Sequence, residues 1–153
     1  MSTPEDRVAE LGLVLPEVPA PVAAYVPAVR SGAYVYTSGQ LPTRSGQLMA
    51  TGKVGGEVNP ELAKECAQQC ALNALAAVKS VVGDLGRVVR VVKVVAFVAS
   101  TPDFTGQPQV ANGASELFGN VFGDAGQHAR SAVAAPVLPL DAPVEVELVV
   151  EVS

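Results

Sequence analysis

Val88-Val89-Arg90-Val91-Val92-Lys93-Val94-Val95-Ala96-Phe97-Val98-Ala99 is the stretch that decides the fold. It is rich in β-branched residues and almost wholly apolar, and Thr101-Pro102-Asp103 ends it. Such a run predicts a strand buried on both faces. Strict alternation puts Val89, Val91, Val95 and Phe97 on one face and Val92, Val94, Ala96 and Val98 on the other.

Upstream, Asn59-Pro60-Glu61 reads as an N-cap followed by proline in the first turn. The next stretch, Leu62 to Val82, is rich in Ala, Leu, Gln and Lys and lacks Gly and Pro, and Gly83 stops it. It predicts the long helix of the chain. Nearer the N-terminus, Thr3-Pro4-Glu5-Asp6 predicts a short capped helix to about Leu11, ended by Gly12. Pro16 to Pro21 reads as an extended lead-in. Two strand-like stretches follow, Val22 to Val29 and Ala33 to Ser38, with Arg30-Ser31-Gly32 as the turn between them. The Gly- and Thr-rich stretch from Thr43 to Val58 leaves room for one short strand near Leu48.

Downstream, Gln109 to Phe122 predicts a second helix, weakened by Gly113 and Gly119. Ala129 to Ala135 and Val144 to Val152 predict the last strands. In the final one, Val144, Val146, Leu148, Val150 and Val152 alternate with Glu145, Glu147 and Glu151. The order is β-β-α-β-α-β with a strand added, an α+β sheet with two helices on one face, in one domain over residues 1–153. Two helices cover one face only. The doubly apolar strand therefore predicts a homo-oligomer.

Composition narrows the function. The net charge is −5, only 16% of residues are charged, and no basic tract stands out. These numbers argue against nucleic acid as a partner. The longest apolar run is too short for a bilayer and carries Arg90 and Lys93, and the first residues lack the pattern of a signal peptide. The expected setting is the cytoplasm, with no membrane partner.

Arg130 is the unusual residue. It stands in His128-Ala129-Arg130-Ser131-Ala132-Val133-Ala134-Ala135, among small neighbours that leave room beside a guanidinium. Its fork suits a carboxylate in bidentate geometry. The competing reading is a salt bridge to Glu145 or Glu147. Cys66 and Cys70 lie one helical turn apart, and core packing is the better reading than a metal site. His128 is either an acid/base group or an exposed histidine beside a turn. Gly52-Lys53-Val54-Gly55-Gly56 lacks the spacing of a phosphate-binding loop.

Tyr34-Val35-Tyr36-Thr37-Ser38-Gly39-Gln40-Leu41-Pro42, the long helix, Ala129-Arg130-Ser131-Ala132-Val133, Leu138-Pro139 and Val144-Glu145-Val146-Glu147 occur in this order. Together they resemble the RidA/YjgF family from about Tyr25 to the C-terminus, with residues 1–21 as an N-terminal extension. The resemblance implies a chorismate-mutase-like fold and a homotrimer built around a central barrel, with ligand clefts between subunits. It also implies hydrolysis of enamines and imines such as 2-iminopropanoate to 2-keto acids and ammonia, with no metal and no cofactor. By the same resemblance, Arg130 grips the substrate carboxylate and Glu145 positions or activates water. Tyr25, Gly39, Asn112 and Ala132 complete the cleft. Two positions depart from the family's usual residues: Ala132 replaces a cysteine and His128 a proline. They bear on substrate range more than on the carboxylate clamp. A carboxylate-sensing module without catalysis, a ribonuclease and a purely structural trimer are the alternatives.

Overall fold

The computed structural model describes residues 1–18 and 23–153. Helix α1 spans Pro4–Glu10, and Thr3 and Asp6 form a reciprocal capping box at its start. Strands β1 (Ala28–Ser31) and β2 (Tyr34–Thr37) form a hairpin. A second, small hairpin pairs β3 (Thr43–Arg44) with β4 (Gln47–Leu48). Then come α2 (Pro60–Val82), β5 (Val88–Ala99), α3 (Gln107–Phe122), β6 (Ala129–Ala135) and β7 (Val144–Val152). Among the described residues the fold is α+β, with three α-helices and a five-stranded sheet of order β1-β2-β7-β5-β6.

The bounds predicted for β5, β6 and β7 match the structure, and α2 and α3 begin two residues earlier than predicted. Three expectations need correction. The first strand starts at Ala28 rather than Val22, because Pro27 has no N–H to give a ladder; its carbonyl takes the Ser38 N–H instead. The call at Pro19, Pro21 and Val22 lies outside the described residues. The stretch after Pro42 holds two paired strands rather than one, joined through Ser45 and Gly46, which both take positive φ.

The third correction concerns the faces of β5. Its ladder to β7 steps from Val88/Val152 to Arg90/Glu151, and from Val91/Val150 to Lys93/Val149. Each step spends two residues of β5 against one of β7, which is a bulge. Strict alternation therefore fails at this end. Val91 joins Val94, Ala96 and Val98 on the fully buried face, rather than Val95 and Phe97.

That buried face is the one the helices cover. α2 packs on β7, β1 and β2, and α3 on β5 and β6. The core holds Val35, Leu72, Leu75, Val78, Leu117, Phe118, Val144, Val146, Leu148 and Val150. Each large side chain so buried contributes about 1.5–3 kcal/mol. Val8 of α1 is part of the same core. The opposite face has no helix on it, and Val29, Tyr34, Tyr36 and Val133 are exposed there. No helix among the described residues is long and apolar enough to cross a membrane.

Cys66 and Cys70 are fully buried in α2, and the Cys70 thiol donates to Val144 O at 3.7 Å. Burial pushes the Cys66 thiol up to about 11. Both behave as core residues.

α2 and α3 touch where α3 has no side chain. A Cβ on Gly113 would overlap the carbonyl oxygen of Lys64 and stand 3.2 Å from Ala67 Cβ. Backbone cannot yield as a side-chain tip does. Gly113→Ala should therefore cost about 1–3 kcal/mol and lower the Tm, whereas Gly119→Ala, with open space around it, should leave the Tm unchanged or raise it. Thermal unfolding followed by circular dichroism checks both.

Candidate functional site

β6 is the edge strand, parallel to β5, and its register pairs Arg130 with Val94. Val94 points into the core, so Arg130 leaves the sheet on the same side, towards α3. Two α3 residues meet it there. Asn112 and Ser115 are three apart and share a helix face. Arg130 Nη1 donates to Asn112 Oδ1 at 2.8 Å and to Ser115 Oγ at 3.1 Å. Ala132, one step along, pairs with Ala96 and packs against the core.

The chain of hydrogen bonds continues. Ser115 Oγ lies 2.9 Å from His128 Nε2, and His128 Nδ1 lies 2.6 Å from Gly126 O. A carbonyl oxygen only accepts, so Nδ1 carries a proton. The Phe118 ring meets the imidazole edge-on at 5.9 Å and 88°. His128 is thus tied into the cluster and is not a free histidine beside a turn. The sequence singles out Arg130 and the resemblance adds Asn112; neither names Ser115. The available signal was the i, i+3 spacing from Asn112.

The ion pair of Arg130 with Glu145 or Glu147, the competing reading, is not formed among the described residues. The physical reason is sheet order. β5 lies between β6 and β7, and Glu145 and Glu147 register with Phe97 and Val95, whereas Arg130 registers with Val94. The guanidinium and the two carboxylates leave the sheet on opposite sides.

Glu145 belongs to a second group. Its strand neighbours Val144 and Val146 are fully buried, while Glu145 is half-buried on the helix-free face. Gln40 and Val146 exchange backbone hydrogen bonds at 2.8 and 3.0 Å, which pin the Ser38-Gly39-Gln40 turn to β7. A Cβ on Gly39 would overlap Glu145 Oε1 and lie 3.1 Å from Glu145 Cγ. Any larger residue at this position would make the Glu145 carboxyl group move from where it now stands. Asn73 of α2 fixes the chain just beyond the turn, donating to Leu41 O at 2.9 Å and Thr43 O at 3.0 Å. Gly39 and the exposed Tyr25 line a cavity of about 970 Å³ together with Arg44, Leu72 and Asn73.

The predicted site residues thus fall into two groups within one chain. Arg130 and Ala132 stand beneath α3, with Asn112 reaching Arg130 from that helix, and Gly39 stands with Glu145 on one side and with Tyr25 in the cavity. Burial, and after it the nearby Glu147, raise the Glu145 carboxyl above its ordinary 4.5. A carboxyl raised on folding stabilises the fold when protonated, and that contribution is lost as pH climbs through the folded value. Glu145→Gln should therefore raise the Tm at pH 7, with the gain fading as the pH falls to 4.5 and below. A pH series of melting curves for the two proteins reads this directly.

Comparison with known proteins agrees with this architecture. The family model described as "YjgF/chorismate mutase-like, putative endoribonuclease" matches residues 5–152. Protein TCP17 of Trypanosoma cruzi is 44% identical over 144 residues, covering 94% of this chain and 90% of its own. The crystal structure of Atu1372 from Agrobacterium tumefaciens, a protein of unknown function, superposes with a TM-score of 0.93 at 45% identity, over 99% of this chain and 94% of that one. RidA from the Antarctic bacterium Psychrobacter sp. PAMC 21119 has a TM-score of 0.60 at 29% identity, over 89% and 94% of the two chains. With its α+β sheet, its Arg130 strand and its Ser38-Gly39-Gln40 turn, this chain belongs to the YjgF/RidA family.

Proposed function

We propose that the protein hydrolyses small 2-imino acids, of the 2-iminopropanoate type, to the 2-keto acid and ammonia. The observation that carries this reading is the state of Arg130. Its Nη1 is held by two neutral side chains, and it has no carboxylate partner among the described residues. A half-buried guanidinium oriented in this way is prepared for an anion from outside the chain.

In the reaction, the substrate carboxylate rests on Arg130. Water adds to the imine carbon; Glu145 takes one water proton and passes it to the imine nitrogen, giving the neutral carbinolamine. Glu145 then takes the carbinolamine hydroxyl proton and returns it to the amino nitrogen, so that the C–N bond breaks, ammonia leaves and the C=O of the keto acid forms. Imines are electrophilic already, so orientation and proton transfer supply the acceleration. A carboxyl raised by burial suits that double role.

Arg130 and Glu145 diverge within one chain, so the reading joins Arg130 and Asn112 of one copy to Tyr25, Gly39 and Glu145 of another. A homotrimer with its sites between subunits meets that need. The exposed apolar residues on the helix-free face support such an assembly: Tyr34 is 42%, Val133 45% and Tyr36 48% exposed. Substituting Val133→Glu places a charge on that face, in register with Glu145 across β5. Size-exclusion chromatography with light scattering should then report a mass near the 15.6 kDa of one chain in place of about three times that mass.

A carboxylate-binding module without turnover shares the clamp, and Ala132 at the position of the family's usual cysteine favours it. Ribonuclease activity fits poorly with a net charge of −5. Keto-acid release from a freshly generated imine separates the three. Arg130→Ala should lower kcat/KM about a hundredfold or more, and Arg130→Lys should recover little, since an ammonium gives no planar fork. Wild-type rates in Arg130→Ala would sink the clamp; pyruvate binding without turnover would favour the module.

A further inference from the structure

Both hydrogens of Arg130 Nη1 are committed, one to Asn112 Oδ1 and one to Ser115 Oγ. That occupies the end of the guanidinium nearest its own Cδ. The Nε–H and the two Nη2 hydrogens have no partner among the described residues. They form the side-on edge of the fork, the edge that meets the two oxygens of one carboxylate in parallel.

What keeps this edge presented lies one shell further out. Ser115 has one hydroxyl proton and receives one from Arg130. Gly126 O accepts the proton of His128 Nδ1, and in that tautomer Nε2 is the acceptor, 2.9 Å from Ser115 Oγ. Every donor then has an acceptor along Arg130, Ser115, His128 and Gly126. The ends of the relay are fixed as well. Gly126 is buried so tightly against the Phe118 carbonyl that a Cβ there would overlap it, and the Phe118 ring stands edge-on to the imidazole.

We infer that Ser115 and His128 are positioning residues: His128, acting through Ser115, holds Arg130 so that it takes a ligand carboxylate side-on through Nε and Nη2. The assignment of a carboxylate rests on the proposed function. The orientation of Arg130 stands on the geometry alone.

Two readouts separate these claims. Side-chain NMR of Arg130 follows the order of its Nε–H and the rotation about Nε–Cζ without any ligand. The wild type should show a slow, ordered guanidinium. Ser115→Ala and His128→Leu should free it. Ser115→Thr, which keeps a hydroxyl, and His128→Gln, which keeps an acceptor, should restore much of the order. An Arg130 equally ordered in Ser115→Ala overturns the inference, and melting curves certify that each variant is folded. Pyruvate titration is the second readout. Affinity should fall about tenfold in Ser115→Ala and His128→Leu, the scale of one charge-assisted hydrogen bond. In imine hydrolysis the same variants should raise KM more than they lower kcat. Failure of pyruvate to bind the wild type, with Arg130 still ordered, would sink the carboxylate reading and leave the positioning relay standing. Unchanged affinity in both variants would overturn the relay's role in binding.

Discussion

The parallel pairing of β6 with β5 is the constraint on which the rest depends. A parallel neighbour cannot be reached by a tight turn, so the chain must cross over the sheet and return. α3 is that crossover. It brings Asn112 and Ser115 over the same sheet face to which the register turns Arg130. The crossover also needs space beneath α2, which Gly113 provides by letting the two helices meet at backbone distance. Two α3 side chains, 18 and 15 residues before Arg130 in the chain, thereby share its guanidinium.

The strands and helices carrying the site were legible because each obeys one strong local rule. β5 to β7 are runs of β-branched or small residues with clear stops, and α2 is bracketed by Asn59 and Gly83. Where two rules compete, the reading slipped. Val22 to Val29 has strand composition, but Pro27 withholds a ladder bond. The β5 alternation is broken by bulges, which depend on the partner strand and leave no mark in β5 itself.

The site was half legible for a related reason. Arg130 stands out as a charge among alanines. The idea that Glu145 opposes it assumed that β6 and β7 are neighbours. Sheet order is a long-range property, and β5 takes the place between them. Ser115 left only a faint mark, its i, i+3 spacing from Asn112, since nothing about a serine in a helix announces its partner. Its significance arises only when α3 is laid over β6.

A last consequence follows from β6 standing at the end of the sheet. Along its outer side the backbone N–H and C=O groups have no strand to pair with inside the described chain. Natural edge strands are usually blunted by lysines, prolines or extreme shortness. Ala129–Ala135 has neither lysine nor proline and runs for seven residues. Its one charge, Arg130, is turned under α3. Such an edge is a template on which further strands can add, so an isolated copy carries an aggregation hazard. An uncovered edge of this length favours strand addition, quite apart from any chemistry at Arg130.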